Sequence, residues 1–269
     1  MKIFKSFNVL NKEINFSENI GFVPTMGSLH EGHLSLIKIA KKKSKKVLVS
    51  IFVNPSQFND KNDFIKYPRN LKKDIYILRK LKIDYLFLPN NREIYKVGIK
   101  KKLAILKKDK ILCAKYRKGH FEGVLAVVDR FMENINSKYL FLGEKDFQQV
   151  YLIKKYLQNK FKTRIVGCKT IRNKNKLPLS SRNKLLSKIL LNKSEKISKL
   201  LFNFRSNISK NFKNIKLLNS YRSKIKVLCD KIEYFEIRNF TNLTKKISKK
   251  NFKIFIAYKI NKVRLIDNV

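Results

Sequence analysis

The stretch from Ile20 to Lys43, IGFVPTMGSLHEGHLSLIKIAKKK, constrains the fold of this chain most, because a short apolar run breaks at a proline and a glycine and restarts with helical spacing. Ile20, Phe22 and Val23 predict a buried strand. Leu34, Leu36, Ile37 and Ala40 lie close to the i, i+3, i+4 pattern that gives a helix one apolar face. Between them stand His30 and His33, three residues apart at the predicted helix start and therefore side by side. The first turn of a helix leaves backbone N–H groups without partners and favours phosphate. Gly27 and Gly32 lack a Cβ, so a ligand can approach the backbone closely. This junction is a candidate site for a nucleoside triphosphate. It is a weak metal site: HExxH spacing needs a histidine where Leu34 stands, and no cysteine lies near. The chain has only three histidines, and two of them are here.

The rest of the first 170 or so residues alternates strand and helix patterns. Val47 to Val53 is a continuous apolar strand of the kind buried on both faces of a parallel sheet. A helix near Leu71 to Leu81, a strand at Tyr85 to Leu88, a lysine-rich excursion, a helix near Val124 to Ile135, a strand at Tyr139 to Leu142, a helix at Phe147 to Leu157 and a strand at Thr163 to Val166 follow. Such alternation predicts an α/β fold with a Rossmann-like, doubly wound parallel sheet. All glycines and prolines fall at or before Pro178, so the final 91 residues are built differently. We expect two domains: 1–177, carrying the Rossmann-like sheet, and 178–269, a smaller C-terminal α+β domain. The second reads as helical from Lys184 to about Cys229, then as strands at Ile232 to Ile237, Phe252 to Tyr258 and Val263 to Ile266, most simply a helix pair beside a small antiparallel sheet.

In such sheets ligands bind beyond the carboxyl ends of strands, which directs attention to the segments just after them. After the second strand comes Asn54-Pro55-Ser56-Gln57-Phe58, whose amides suit the hydroxyl and carboxylate groups of a small substrate or simply form a polar loop. Arg117 to Gly123 reads RKGHFEG, where His120 is a core or capping histidine unless it serves the site. Gly143 to Gln149 reads GEKDFQQ. There a glycine admits close approach, Lys145 can place positive charge on a transferring phosphate, and Asp146 can cap the next helix or help place a metal ion. Ile171 to Asn183 reads IRNKNKLPLSSRN, with hydroxyls and a guanidinium suited to phosphate oxygens or to a helix cap.

Taken together, ProThrMetGly at 24 to 27 with His30, Gly32 and His33, then FVNPSQF with Tyr67-Pro68-Arg69, GEKDFQQ, LSSRN and the closing ArgLeuIleAspAsn at 264 to 268, resemble the pantothenate synthetase family of HIGH-motif nucleotidylyl transferases. That resemblance implies condensation of pantoate with β-alanine through a pantoyl adenylate, with ATP as substrate and Mg²⁺ beside it. It implies ATP contacts at Met26, Gly27, Ser28, Leu29, His30, Glu31, Gly32 and His33, at Gly143, Glu144, Lys145 and Asp146, and at Ile171, Leu179, Ser180, Ser181 and Arg182. By the same resemblance His33 is the proton donor, with His30, Lys145 and Arg182 also catalytic. Gln57, Gln149, Asn54 and Tyr67 would meet pantoate or β-alanine, and Asp146 is a possible Mg²⁺ contact. Arg117 and His120 are secondary candidates. The chain departs from the family pattern at Lys118, at Lys176, where glycine is usual, and at Pro178.

Charge is the unusual property of the composition: 63 Lys+Arg against 19 Asp+Glu, a formal +44. The lysines run from Lys2 to Lys262 among many Asn, Ile, Phe and Tyr, as an A+T-rich genome produces, so we expect no specific nucleic-acid partner. Two other readings stay open: a nucleotidylyl transferase with a phosphorylated acceptor, and a basic nucleic-acid-binding protein with a degenerate nucleotide site. Cys113, Cys168 and Cys229 form no CxxC, and no apolar run is long enough to span a bilayer. A cytoplasmic protein without a membrane association is expected, and the family resemblance implies a homodimer.

Overall fold

The computed structural model describes residues 1–95, 103–210 and 215–269. It divides into two compact units, Met1–Lys169 and Thr170–Val269. The division falls earlier than the 177/178 boundary drawn from composition. The segment after Lys169 folds back on itself, with Arg172 bridging Pro178 and the Leu179 N–H donating to the Ile171 carbonyl, and it is tied into the second unit by Arg172.

In the first unit, strands β1 (Lys2–Phe4), β2 (Ile20–Thr25), β3 (Lys46–Ile51), β4 (Tyr85–Phe87), β5 (Tyr139–Gly143) and β6 (Arg164–Cys168) form one parallel sheet in the order β1-β4-β3-β2-β5-β6. The order reverses between β2 and β5: chain progress runs toward β1 on one side and toward β6 on the other. That reversal is the switch point where doubly wound sheets bind ligands. The central strands are mostly apolar and buried along their length because both faces are covered. Phe22 packs edge-on against Phe131 of the helix His120–Asn134, joined by Phe7 and Phe87. Its neighbour Val23 points to the opposite face, as strand alternation requires, and joins Leu36, Ile37 and Ala40 of the helix Glu31–Lys43 and Leu78 of the helix Leu71–Lys80.

The predicted elements match the observed ones to within a few residues, and the short helices Lys61–Ile65, Asn91–Ile94 and Cys113–Tyr116 are additional to them. Strand β1 and the helix Phe7–Glu13 were not anticipated, since a three-residue edge strand carries too little alternation to read. The helix predicted from Val124 begins earlier, at His120, because Gly119 in a left-handed conformation (φ +78°) starts it. The lysine-rich excursion lies partly outside the described residues.

In the second unit β7 (Lys231–Asn239), β8 (Phe252–Ile260) and β9 (Val263–Asn268) make an antiparallel sheet. The helices Lys188–Lys210 and Ile215–Lys226 are the helix pair expected within the helical stretch from Lys184 to about Cys229, and residues 211–214 of that stretch lie outside the described residues. Ile197, Leu201, Phe204, Tyr221 and Ile225 pack on Phe235, Ile254, Ile256 and Tyr258. No helix among the described residues is long and apolar enough to cross a membrane.

Candidate active site

Three parallel neighbours, β3, β2 and β5, end at the same edge of the sheet, and each is followed by one of the candidate segments. The register of the sheet therefore brings Met26–His33, Asn54–Gln57 and Gly143–Asp146 to one place in the first unit, around the switch point.

The Met26–Leu29 loop is rigidly built. Gly27 and Ser28 both have positive φ (+75° and +51°), turning the chain sharply out of β2. The Gly27 N–H donates to Thr25 Oγ1, whose hydroxyl in turn donates to the Ser50 carbonyl on β3. The main anchor is a residue that the sequence did not disclose. Asp74, in the first turn of Leu71–Lys80 and only 2% exposed, accepts the Ser28 N–H on one carboxylate oxygen and the Leu29 N–H on the other, both at 2.8 Å. A signal existed: Asp74 lies on the same helix stripe as Leu71 and Leu78, a position where an acid among lysines is out of place unless it is paired.

The loop delivers the chain to His30, the N-cap of Glu31–Lys43. His30 Nδ1 accepts the Gly32 N–H at 3.1 Å, so the ring itself satisfies one orphan donor of the first turn. His30 and His33 lie with ring centroids 4.1 Å apart, as the i, i+3 spacing predicts. Glu31 is exposed and Gly32 half-buried beside them. Two imidazoles at a helix N-terminus can donate hydrogen bonds to, and share charge with, an anion held there.

After β5, Gly143 faces open space: a Cβ built there meets no protein atom within 4 Å. Steric crowding by the described residues does not explain this glycine, and the backbone there is open to close approach. Glu144 covers Gly167 on the next strand, and an added Cβ at Gly167 would come within 2.8 Å of its carboxylate. Lys145, largely covered, has its ammonium 3.4 Å from Asp146 Oδ1. Asp146 occupies the N-cap position of Phe147–Leu157 but makes no capping hydrogen bond, so the capping role proposed for it from sequence is not what it does. Gln149 is half-buried and has no hydrogen bond among the described residues, leaving its amide available. Its neighbour Gln148 instead donates to the Asp109 and Ile111 carbonyls.

The turn after β3 separates two candidate amides. Asn54 is 1% exposed and used internally: its oxygen accepts from Ser56 N–H, Ser56 Oγ and the Tyr95 hydroxyl, and its nitrogen donates to the Gly123 carbonyl at 3.0 Å. Burial holds the Tyr95 hydroxyl above its ordinary pKa, so it stays a donor. Gln57, half-buried, directs its side-chain nitrogen at the Met26 sulfur and so joins the turn to the β2 loop. Tyr67 is buried with its ring edge-on to Phe58. Beneath the turn, the Gln57 carbonyl is held by His120 and Arg117.

The remaining candidates belong to the second unit. Ile171 and Leu179 pair through their backbones, and Ser180 caps a short turn Ser181–Leu185 by accepting the Arg182 N–H at 3.3 Å. Ser181 is buried and Arg182 half-buried. The loop between them is braced by the Arg172–Asp267 pair, bidentate at 2.7 and 2.9 Å, and by Asn173 and Asn175 on the Glu195 carboxylate. Lys176 has φ +70°, a left-handed conformation that favours glycine.

The profile of the pantoate-beta-alanine ligase family matches residues 2–269. This chain belongs to the pantoate-beta-alanine ligase family. It is 42% identical over 269 residues to a pantothenate synthetase of Francisella tularensis subsp. mediasiatica, covering 98% of this chain and 94% of that one. The crystal structure of pantothenate synthetase from Thermus thermophilus superposes with a TM-score of 0.92 at 29% identity, covering 100% and 99% of the two chains. A Francisella tularensis pantoate-beta-alanine ligase, described as complexed with β-γ ATP and β-alanine, gives a TM-score of 0.85 at 40% identity over 100% and 97%. Family membership displaces the readings as a nucleic-acid-binding protein and as a transferase for a phosphorylated acceptor.

Proposed function

We propose that this chain joins pantoate to β-alanine at the expense of ATP, through a pantoyl adenylate. The observation that supports it most is the convergence of the HxGH and GEKD segments on the two sides of the sheet's switch point, in a chain that matches the ligase family end to end. In the first step a pantoate carboxylate oxygen attacks the α-phosphorus and the bond to the pyrophosphate oxygen breaks. In the second the β-alanine amine attacks the acyl carbon, loses a proton and expels AMP.

Such a reaction asks the protein for alignment and for charge neutralisation as the five-coordinate phosphorus forms. The helix-start N–H groups of Gly32 and His33 are taken up by His30, so the imidazoles of His30 and His33 supply the donors to the phosphates, with His33 donating to the oxygen on which charge develops. Met26, Ser28 and Leu29 shape the nucleotide pocket, and Gly143 with Glu144 lets the nucleotide lie on bare backbone. Lys145 is the mobile positive charge: its weak pair with Asp146 can be exchanged for a phosphate oxygen. Mg²⁺ enters with ATP as part of the substrate. Among the described residues no three His, Cys, Asp or Glu side chains cluster as a protein-built metal site, so Asp146 is proposed as a single contact to that ion. Gln57 and Gln149, both half-buried, are proposed to read pantoate and β-alanine, while Asn54 and Tyr67 support the Gln57 turn. Ile171, Leu179, Ser180, Ser181 and Arg182 remain proposed ATP contacts on the likeness of the LSSRN segment. A homodimer and a cytoplasmic location are proposed on the same family likeness.

Pyrophosphate release from purified protein with ATP and Mg²⁺ tests the reading. Release with pantoate alone limited to about one equivalent, becoming steady on adding β-alanine, is expected; steady release that ignores both acids refutes it.

A further inference from the structure

The Gln57 carbonyl is the meeting point of two side chains from the RKGHFEG segment. His120 Nδ1 lies 2.6 Å from that oxygen, Arg117 Nη2 lies 3.2 Å from it, and Arg117 Nη1 lies 3.0 Å from His120 Nε2. These contacts determine the state of the imidazole. A guanidinium has only donors, so Nε2 must accept from Arg117. A carbonyl has only lone pairs, so Nδ1 must carry the ring hydrogen and donate to Gln57. Both ends of the ring therefore demand the same neutral Nδ1–H tautomer; an imidazolium would turn an N–H toward the guanidinium.

The surroundings give this triangle no slack. His120 is 7% exposed, at the first residue of the helix His120–Asn134. One turn later an added Cβ at Gly123 would come within 2.5 Å of the Ser56 carbonyl oxygen, so the helix backbone lies directly against the Pro55–Gln57 turn. Asn54 closes the same contact by donating to the Gly123 carbonyl. The helix thus sets where the turn sits, and the His120–Arg117 pair sets how its last peptide is rotated. Because the rotamers open to a side chain depend on its backbone torsions, fixing the Gln57 carbonyl restricts the directions in which the Gln57 side chain can leave the backbone.

We propose that His120, as a neutral Nδ1–H donor held by Arg117, is a positioning residue for the subsite that takes the carboxylic-acid substrate. It acts through Gln57 and does not touch ATP. This inference rests on the reading of Gln57 as a substrate contact, and the test separates the two.

The test compares His120→Asn, His120→Gln and His120→Ala with Gln57→Ala, measuring KM for pantoate and for ATP. An asparagine amide can place its N–H near the Nδ1 position and a glutamine amide nearer Nε2. We expect His120→Ala and His120→Gln to raise the pantoate KM roughly tenfold with the ATP KM moved less than about twofold, and His120→Asn to recover most of the loss. Equal damage by Asn and Gln, or an ATP KM that rises in step, overturns the positioning role. A raised pantoate KM in Gln57→Ala with none in His120→Ala overturns this inference alone; an unchanged pantoate KM in Gln57→Ala overturns the reading beneath it. Should the His120 variants fold poorly, imidazole ¹⁵N shifts of the unaltered protein decide: a pyrrole-type Nδ1 and pyridine-type Nε2 for His120 support the proposal, and the opposite tautomer or an imidazolium overturns it.

Discussion

Replacing Asp74 with alanine should loosen the nucleotide loop more than any other single change outside it. The carboxylate accepts two backbone N–H groups, from Ser28 and Leu29, which are 2% and 4% exposed, so water cannot easily replace it. Each lost hydrogen bond to a charged group is worth about 1.5–3 kcal/mol, and the two together about 3–6 kcal/mol. Removing a buried charge also removes its desolvation cost, which brings the expectation to about 3–4 kcal/mol. Asp74→Asn retains an acceptor for one N–H but turns its NH₂ toward the other, and should cost about 2 kcal/mol. Urea unfolding followed by far-ultraviolet circular dichroism measures this as a lower midpoint at unchanged slope, and ATP titration calorimetry should show weaker binding in both variants. A loss below about 1 kcal/mol for the alanine variant, or an asparagine variant indistinguishable from the parent, would refute the claim that this carboxylate holds the loop.

Gly27→Ala puts a Cβ 3.0 Å from Asp74 Oδ2 and 3.1 Å from Ile51 Cγ2 at φ +75°; a stability loss of about 1–2 kcal/mol with weakened ATP binding is expected, and unchanged calorimetry would contradict it. Lys176→Gly relieves a left-handed lysine at φ +70° but gives up its ammonium over Phe202; the net expectation is a gain of about 0.5 kcal/mol in urea unfolding, and a loss of more than that would count against the backbone argument. Cys168 is pushed up to about 11 by burial, with the nearby Glu144 carboxylate adding to the effect. At pH 8 only roughly a thousandth of it is thiolate, so alkylation in the native state should be far slower than in urea. Since the unfolded thiol ionises first, this group removes stability as pH rises from about 8.5 toward 11, and a denaturation midpoint that climbs over that range in the parent relative to Cys168→Ser would contradict the assignment.

The alternation of the first unit was legible because a parallel sheet covered on both faces writes its strands as unbroken apolar runs, as in Val47 to Ile51. The glycines of the two nucleotide segments could be read for the same reason that they are needed: Gly27 turns the chain at positive φ and Gly143 faces open space. What escaped was the direction in which polar side chains point. Asn54 and Gln57 are alike in sequence, yet one has its amide consumed by Ser56, Tyr95 and Gly123 while the other reaches Met26 in the loop after β2. Asp74 was hidden among lysines of a helix whose partner loop lies more than forty residues earlier. Asp146 sits where a cap belongs and does not cap, since its carboxylate is drawn to Lys145. In the second unit the strands and a helical stretch were legible, but without glycine or proline the lysine-rich sequence offers no punctuation from which to place individual helix ends.

The two-step route through a mixed anhydride is tested most directly by isotope transfer. Pantoate labelled with ¹⁸O in its carboxyl group is incubated with ATP, Mg²⁺, β-alanine and the protein, and the nucleotide product is analysed by mass spectrometry. Attack by the carboxylate on the α-phosphorus followed by amine displacement leaves a single labelled oxygen on AMP and the other in the new amide. AMP without label, or label in inorganic phosphate beside ADP, would contradict an acyl adenylate and with it the central claim.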